Sequence, residues 1–207
     1  MQVIKTEKIS KIYNDGGVPV EALKEIDMEI AHGEFTAVVG PSGSGKTTLL
    51  NVIGGLDSLT SGRLWVGDKE ISDMKPNDLI DFRLNNIGFV FQAFNLIPVL
   101  TAIENVEFIM LLQKQPKEER RGRAKELLAS VGLADLVDRK PIELSGGQQQ
   151  RVAVARALAS MPRFVLADEP TANLDTASAE NLLDIMEKMS DEHEMTFIFS
   201  THDQRVV

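Results

Sequence analysis

A glycine-rich segment at residues 40–47 constrains the fold of this chain more than any other feature. It reads Gly-Pro-Ser-Gly-Ser-Gly-Lys-Thr and matches the pattern G-x-x-x-x-G-K-[ST]. The apolar run FTAVVG (35–40) precedes it, and the helical pattern TTLLNVIGG (47–55) follows it. This strand-to-helix context predicts a phosphate-binding loop, called the P-loop below. The alternative is a glycine-rich turn without a ligand, which the context disfavours.

Each residue type in the P-loop has a physical reason to be there. Glycines allow a loop whose N–H groups all point inward, Lys46 reaches the β- and γ-phosphates, and the Thr47 hydroxyl takes a place on Mg²⁺. We therefore predict a site for a nucleotide phosphate with Mg²⁺. Its predicted residues are Gly40, Ser42, Gly43, Ser44, Gly45, Lys46, Thr47 and Thr48.

Short apolar runs alternate with longer amphipathic stretches along the chain. The clearest buried strands are FTAVVG (35–40), IGFVFQ (87–92), FVLADE (164–169) and TFIFST (196–201). Near-continuous apolar strands are typical of a parallel sheet covered on both faces. The sequence therefore predicts an α/β fold around a mostly parallel sheet.

Two other regions depart from this pattern. Residues 3–13, 23–30 and 63–71 alternate in polarity, which predicts an N-terminal antiparallel β subdomain. Helical spacing replaces strand signals between Pro98 and Leu158, as in residues 103–115 and 121–132, the latter stopped by Gly132. We predict a single domain over 1–207, with a core and β subdomain at 1–95 and 159–207 and an inserted helical subdomain at 96–158.

Composition limits the partners of this chain. Its net charge of −9 argues against non-specific binding of nucleic acid, and it has no cysteine for disulfides or thiolate metal sites. No apolar run approaches the roughly 20 residues that cross a bilayer, and the N-terminus lacks the apolar core of a signal peptide. We expect a cytoplasmic chain that binds no nucleic acid and reaches a membrane only through a partner.

Two carboxylates end the predicted strand at 164–169. Asp168 and Glu169 would lie beside the P-loop, because ligands bind at the carboxyl edge of such sheets. Asp168 would hold Mg²⁺ through its water shell, and Glu169 would polarise the attacking water. A solvated acidic pair at a strand end is the alternative.

The segment LSGGQ at residues 144–148, continuing as QQRVAVARAL, closely resembles the signature motif of ATP-binding-cassette (ABC) ATPases. Ser145 can cap the helix that this motif opens, and Gly146 and Gly147 let the backbone approach a phosphate at the positive end of the helix dipole. The alternative, a capped helix and nothing more, is improbable for five specified residues in this position. The resemblance covers essentially the whole chain.

This resemblance implies a fold and a mechanism. The expected fold is a P-loop NTPase (RecA-like) core with the β and helical subdomains described above. Two copies of the chain are expected to join head to tail and hydrolyse ATP with Mg²⁺. Each site would pair the P-loop of one copy with Ser145, Gly146, Gly147 and Gln148 of the other.

Four further residues take roles by the same resemblance. Tyr13 would stack on adenine, although ordinary packing is its alternative, and Gln92 resembles the residue that senses Mg²⁺ and the nucleophilic water. Asp175, in TANLD (171–175), would reach across the dimer interface. His202 resembles the switch histidine that contacts the γ-phosphate. The predicted catalytic residues are thus Glu169, His202, Lys46 and Gln92. The predicted metal ligands are Thr47, Gln92 and Asp168. The histidines His32 and His193 match nothing in the family.

Three stretches resemble one subgroup of the family, which serves lipoprotein release and macrolide or peptide export. They are GGLDSLTSGRLWVGD (54–68), FVFQAFNLIPVLTAIENVE (89–107) and ADEPTANLD (167–175). An integral-membrane permease is then the expected partner, at the inner face of the cell membrane. The mostly apolar residues 93–106 would form the groove that receives it, or would pack within the helical subdomain.

Two alternative functions would each be accompanied by sequence features different from those of this chain. A non-transport ABC ATPase of DNA repair or translation would generally carry two cassettes or an inserted coiled coil, and would need a basic surface. A P-loop kinase would need an acceptor-binding lid and would lack LSGGQ.

The family normally continues beyond the switch histidine with another helix and strand, whereas this sequence ends at Val207, so we expect a truncated C-terminus.

Overall fold

The computed structural model describes residues 2–14 and 16–202. Its strands are β1 (Gln2–Tyr13), β2 (Val20–Ala31), β3 (Phe35–Val39), β4 (Ser61–Val66), β5 (Lys69–Glu70), β6 (Ile87–Val90), β7 (Phe164–Ala167) and β8 (Thr196–Thr201). Its α-helices are α1 (Lys46–Ile53), α2 (Pro76–Asn86), α3 (Ala102–Leu112), α4 (Lys117–Ser130), α5 (Gly146–Ala159) and α6 (Thr176–His193).

The parallel sheet has the strand order β3-β8-β7-β6, and all its neighbours run parallel. Every residue of β7 and β8 is buried, as expected for strands covered on both faces. The four strands predicted for this sheet are all present. Two of them, β6 and β7, end before the polar residues that follow, which leaves Gln92, Asp168 and Glu169 in loops beyond the carboxyl edge.

A separate antiparallel sheet has the order β2-β1-β4-β5 and confirms the predicted β region. The stretch 63–71 differs in one detail, because Gly67 adopts a φ of 59° and divides it into β4 and β5. Lys8 and Glu25 also have positive φ, where the β1–β2 register shifts. These irregularities increase the local twist of the long hairpin.

The helices start and end at identifiable signals. Thr101 and Glu104 form a capping box at the start of α3, and Gly132, with a φ of 72°, follows the end of α4. Helix α2 was not anticipated, because Phe82 is its only buried residue and the apolar periodicity is weak. No helix within residues 2–14 and 16–202 combines the length and apolar character needed to cross a bilayer.

One hydrophobic cluster joins the helical region to the sheet. It includes Val106 and Leu128 from α3 and α4, Val154 from α5, and Val165 and Phe199 from the parallel strands. The domain boundaries proposed at 95/96 and 158/159 therefore cross a shared core, and they stay a prediction. Helix α5 approaches β6 at Gly88, where an added Cβ would lie 2.5 Å from the carbonyl oxygen of Ala157.

Replacing Gly88 by alanine tests this close approach. Gly88→Ala should lower the free energy of unfolding by about 1–3 kcal/mol in urea denaturation, because overpacking forces the backbone of α5 outward. Gly122→Ala on exposed α4 is the control, since nothing lies within 4 Å of its added Cβ. That change should raise stability by up to about 1 kcal/mol. Equal effects of the two substitutions would contradict a close α5–β6 contact.

Candidate functional site

The P-loop leaves the carboxyl end of β3 and leads directly into α1. Gly43 and Gly45 have φ values of 79° and 90°, a region that other residues rarely adopt. A Cβ on Gly45 would lie 2.5 Å from the carbonyl oxygen of Ala22, and a Cβ on Gly40 would lie 2.7 Å from the Ser44 hydroxyl oxygen. Both the backbone angles and the space thus require glycine in this loop.

Lys46 is the first residue of α1 and is 8% exposed. Its ammonium donates hydrogen bonds to the carbonyl oxygens of Gly40 at 2.8 Å and Pro41 at 3.1 Å. The same nitrogen lies 3.3 Å from Oε1 of Glu169. The P-loop therefore folds around a buried cation that faces the predicted catalytic carboxylate.

The P-loop borders a cleft of about 490 Å³. Predicted residues that line it are Ser42, Gly43, Ser44, Gly45, Lys46, Thr47, Thr48, Gln92, Glu169 and His202. The lining also includes Val20, Glu21 and Ala22 from the start of β2, which the sequence analysis did not single out. The structure thus brings the four predicted catalytic residues to one cleft, and their individual roles stay predictions.

Glu169 contacts two of these residues at once. Its Oε2 lies 2.7 Å from Nδ1 of His202, while its Oε1 faces Lys46. Its backbone has a φ of 47°, which is unusual for a residue other than glycine. The chain therefore holds this carboxylate in a strained position that directs it toward the cleft.

Thr47 and Asp168 are positioned to share a cation. The Thr47 hydroxyl donates to Oδ1 of Asp168 at 3.0 Å, so the two predicted metal ligands are already in contact. Their oxygens are the hard donors that Mg²⁺ prefers, and one carboxylate leaves room for the waters it retains. Together with Gln92 on the wall of the same cleft, this donor set fits Mg²⁺ with a nucleotide phosphate.

Ser200 is a site residue that the sequence analysis missed. It is fully buried in β8, its hydroxyl donates to Oδ1 of Asp168 at 2.7 Å, and it accepts from the N–H of Glu169 at 2.9 Å. One hydroxyl thus fixes both members of the acidic pair. The available signal was a serine directly after the apolar run FIF (197–199), two residues before His202.

Tyr13 does not line the P-loop cleft. Its hydroxyl donates to Oδ2 of Asp57 at 2.7 Å, and the Lys11 ammonium lies 4.9 Å from its ring centroid. Burial, and then the hydrogen bond with Asp57, raise the pKa of Tyr13. Burial alone would raise the pKa of Asp57, but hydrogen bonds from Lys11, Tyr13 and Ser58 outweigh it and the pKa is lowered. The proposed adenine contact of Tyr13 stays a prediction.

The signature residues lie apart from the P-loop of their own chain. Ser145 and Gln148 form a reciprocal capping box, with N–H donors at 2.9 Å and 3.3 Å. A Cβ on Gly146 would lie 3.8 Å from the carbonyl oxygen of Asn173, and one on Gly147 would lie 3.4 Å from Ser178. Of the described residues that line the P-loop cleft, none belongs to this motif.

Asp175 begins α6 as its N-cap. Its side chain accepts from the Ser178 N–H at 3.0 Å and from the Ser178 hydroxyl at 2.7 Å. The Ser178 hydroxyl, and then the Ser178 N–H, lower the pKa of Asp175. The side chain thus has a structural role within its own chain, and its proposed contact across a dimer stays a prediction.

Known proteins resemble this chain over nearly its full length. The family profile described as "ABC transporter" matches residues 23–172. An ABC transporter ATP-binding protein of Thermotoga maritima is 49% identical over 208 residues, covering 100% of this chain and 88% of that protein. The lipoprotein-releasing system ATP-binding protein LolD of Idiomarina loihiensis is 43% identical, covering 97% and 88%.

A solved structure is similar in fold as well as in sequence. It is a dimeric, post-hydrolysis state of the ATP-binding cassette MJ0796 of Methanocaldococcus jannaschii, bound to ADP and Pi. The TM-score is 0.89 at 43% identity, and the match covers 98% of this chain and 89% of that one. The similarity therefore extends over both sheets, the P-loop and the signature helix.

Ser200→Ala tests whether the buried hydroxyl organises the acidic pair. It should lower the free energy of unfolding by about 1–3 kcal/mol, because the Glu169 N–H loses its partner, and should slow ATP hydrolysis about tenfold. Ser190→Ala is the control, since Ser190 is 3% exposed and its hydroxyl donates to the Met195 carbonyl oxygen, away from the cleft. The Ser190→Ala variant should lose a similar free energy of unfolding and should hydrolyse ATP at an unchanged rate. The same rate in both variants would contradict the assigned role of Ser200.

Proposed function

The chain belongs to the ABC transporter family and is an ATP-hydrolysing subunit that powers a transporter, and we propose that it works through a composite site built from two copies. The observation that carries the proposal is the convergence of Lys46, Glu169 and His202 on one cleft beside the P-loop. These groups have the chemistry that phosphoryl transfer to water requires, namely a cation for the phosphates and a carboxylate for the nucleophile.

Each of these residues has a separate role in ATP hydrolysis. The P-loop N–H groups and Lys46 bind and orient the β- and γ-phosphates, and Lys46 neutralises charge that develops on the transferred group. Glu169 accepts a hydrogen bond from the attacking water and directs it in line. His202 holds Oε2 of Glu169 and contacts the γ-phosphate. The 2.7 Å contact between His202 and Glu169 supports their acting as a unit.

Thr47 and Asp168 would hold Mg²⁺, with Gln92 completing the set. Bound there, Mg²⁺ would supply positive charge that offsets the negative charge of the nucleotide phosphates. Ser200 keeps the Asp168 carboxylate oriented toward Thr47 through the hydrogen bond at 2.7 Å. The oxygen donors and their existing contact support this assignment.

The second half of the site comes from another copy of the chain. Ser145, Gly146 and Gly147 open α5, where free N–H groups and the helix dipole favour a phosphate. Because this motif is remote from the P-loop of its own chain, it can serve a nucleotide only in a partner. A solved structure of a related cassette is dimeric, which supports a site built from two copies. In our proposal ATP joins the two copies and hydrolysis weakens their contact.

An apolar groove of about 570 Å³ is the proposed docking site for a membrane permease. Phe89, Phe91, Phe108 and Leu112 contribute to its walls. For residues 93–106 two alternatives were open, namely lining the permease groove or packing within the helical subdomain. Different residues of this stretch do each, and the docking role is a proposal. Asn95 and Ile97 line the groove, whereas Ile103 and Val106 are buried within the hydrophobic cluster.

We propose that the permease belongs to a lipoprotein-release or export system at the inner face of the cell membrane. The similarity to LolD and the three subgroup stretches support this choice. A role in DNA repair or translation is not favoured, because the chain carries a net charge of −9 and the relatives are named for transport.

Glu169→Gln tests the composite site. The variant should bind ATP but hydrolyse it at least about a hundredfold more slowly, so light scattering should reveal dimers with Mg-ATP and monomers without it. Adding Ser145→Arg should return the variant to monomers while nucleotide binding persists, because the arginine side chain then blocks the signature motif. A Glu169→Gln chain that binds ATP and stays monomeric, or one that still hydrolyses ATP at the normal rate, would refute the proposal.

Paired substitutions on α3 test the docking groove. Leu111 and Leu112 are both 49% exposed, but only Leu112 is among the groove-lining residues. Leu112→Glu should abolish sedimentation with membrane vesicles from the organism that produces the chain, whereas Leu111→Glu should not. ATP hydrolysis by the free chain should be unchanged in both variants. Equal binding of the two would exclude this groove as the docking site.

A further inference from the structure

Gln150 is a buried polar residue on the second turn of α5, two residues after the signature motif ends. Its side chain is 0% exposed. The amide Nε2 donates to the carbonyl oxygen of Pro170 at 2.9 Å and, more weakly, to that of Phe91 at 3.4 Å. Phe91 immediately precedes Gln92, and Pro170 immediately follows Glu169. One amide therefore joins the signature helix to the backbone beside two residues of the P-loop cleft.

The orientation of this amide is determined by its neighbours. Both nearby groups are carbonyl oxygens, so the NH₂ end must face them. The other end, Oε1, is buried and has no hydrogen-bond partner among the described residues. A buried acceptor without a partner is unfavourable, so a glutamine used only for packing would be a poor choice here. The two donated hydrogen bonds are what this side chain contributes.

The loop after β6 depends on side chains for its position. Arg156, two turns further along α5, donates to the carbonyl oxygens of Phe94 and Asn95, which both have positive φ. Asn173 donates to the carbonyl oxygen of Gln92 at 2.8 Å. Helix α5 thus holds the first part of this loop, at Phe91 and at Phe94 and Asn95, and Gln150 makes the α5 contact nearest to the cleft.

We propose that Gln150 is a positioning residue that couples the signature helix to Gln92 and Glu169 of the same chain. A displacement of α5, caused when its N-terminus engages nucleotide bound to the partner, moves Phe91 and Pro170 together. Both ATP sites of a dimer are thereby linked through one buried amide in each copy. The inference rests on the composite site proposed above, because only that arrangement gives the signature motif a nucleotide to sense.

Gln150→Met removes both donors and keeps the length and volume of the side chain. Binding of a fluorescent ATP analogue to the free chain should change less than about twofold, because the P-loop is intact, while kcat should fall about ten- to a hundredfold through misplacement of Glu169 and Gln92. Gln113→Met is the matched control. The Gln113 amide also joins carbonyl oxygens of separate elements, Leu84 and Ser160, but away from the cleft. Its kcat should be unchanged.

Measuring ATP-dependent dimerisation distinguishes a failure of this inference from a failure of the proposed function. Gln150→Met added to Glu169→Gln should shift ATP-dependent dimerisation at least about tenfold toward higher chain concentration, with nucleotide still bound. Normal dimerisation together with normal kcat would overturn the role of Gln150 and leave the composite site standing. Failure of Glu169→Gln alone to dimerise would instead overturn the composite site. If Gln150→Met does not fold, Gln150→Leu, which also lacks the amide donors and is slightly shorter, replaces it in the same measurements.

Discussion

The pairing of β8 with both β3 and β7 is the constraint on which the site depends. Strand β8 lies between the strand that leads to the P-loop and the strand that ends in Asp168 and Glu169. Val39 pairs with Thr201, and Ala167 pairs with Phe199. A slip of one residue would turn every side chain of β8 to the opposite face, which would remove Ser200 from the acidic pair. Every residue of β8 is buried, so such a slip would be costly.

Chemistry at the cleft follows from this register. The N–H of Gly40 donates to the carbonyl oxygen of Thr201 at 3.3 Å, which ties the start of the P-loop to the end of β8. Ser200 holds Asp168 and the Glu169 backbone, and His202 holds the Glu169 carboxylate. Three consecutive residues of one strand end thus connect the phosphate-binding loop to the residues proposed to act on water and Mg²⁺.

Local patterns account for the parts of the structure that the sequence predicted. The P-loop and the signature motif each specify several residues within a short segment, and the parallel strands are near-continuous apolar runs, so these features could be found without knowing the fold. Helix α2 lacked such a signal because a single residue, Phe82, is buried on it. The division of 63–71 into two strands occurs at Gly67-Asp68, a pair typical of a two-residue hairpin turn, which the alternating polarity alone does not indicate.

Site residues that act through distant partners were harder to predict. Ser200 and Gln150 are both fully buried, and their partners lie far along the chain. Ser200 contacts the Glu169 N–H across 31 residues, and Gln150 contacts Pro170 across 20 residues. The Tyr13 hydroxyl likewise finds Asp57 across 44 residues of chain. A polar residue within an apolar run indicates only that some partner exists, since the fold decides which one. The resemblance to a family supplied roles for motif residues and for Tyr13, and none for Ser200 or Gln150.

The loop after β6 connects the two surfaces that a transport ATPase must coordinate. Gln92 lines the P-loop cleft, while Asn95 and Ile97 line the apolar groove. Carbonyl oxygens of this loop accept hydrogen bonds from the side chains of Gln150, Asn173 and Arg156, at Phe91, Gln92 and Phe94 respectively. Because buried backbone groups must keep partners, the loop moves with the elements that carry those side chains. On the proposals above, displacement of α5 by a second copy would therefore change the P-loop cleft and the groove together, which would link nucleotide-driven dimerisation to the proposed permease site.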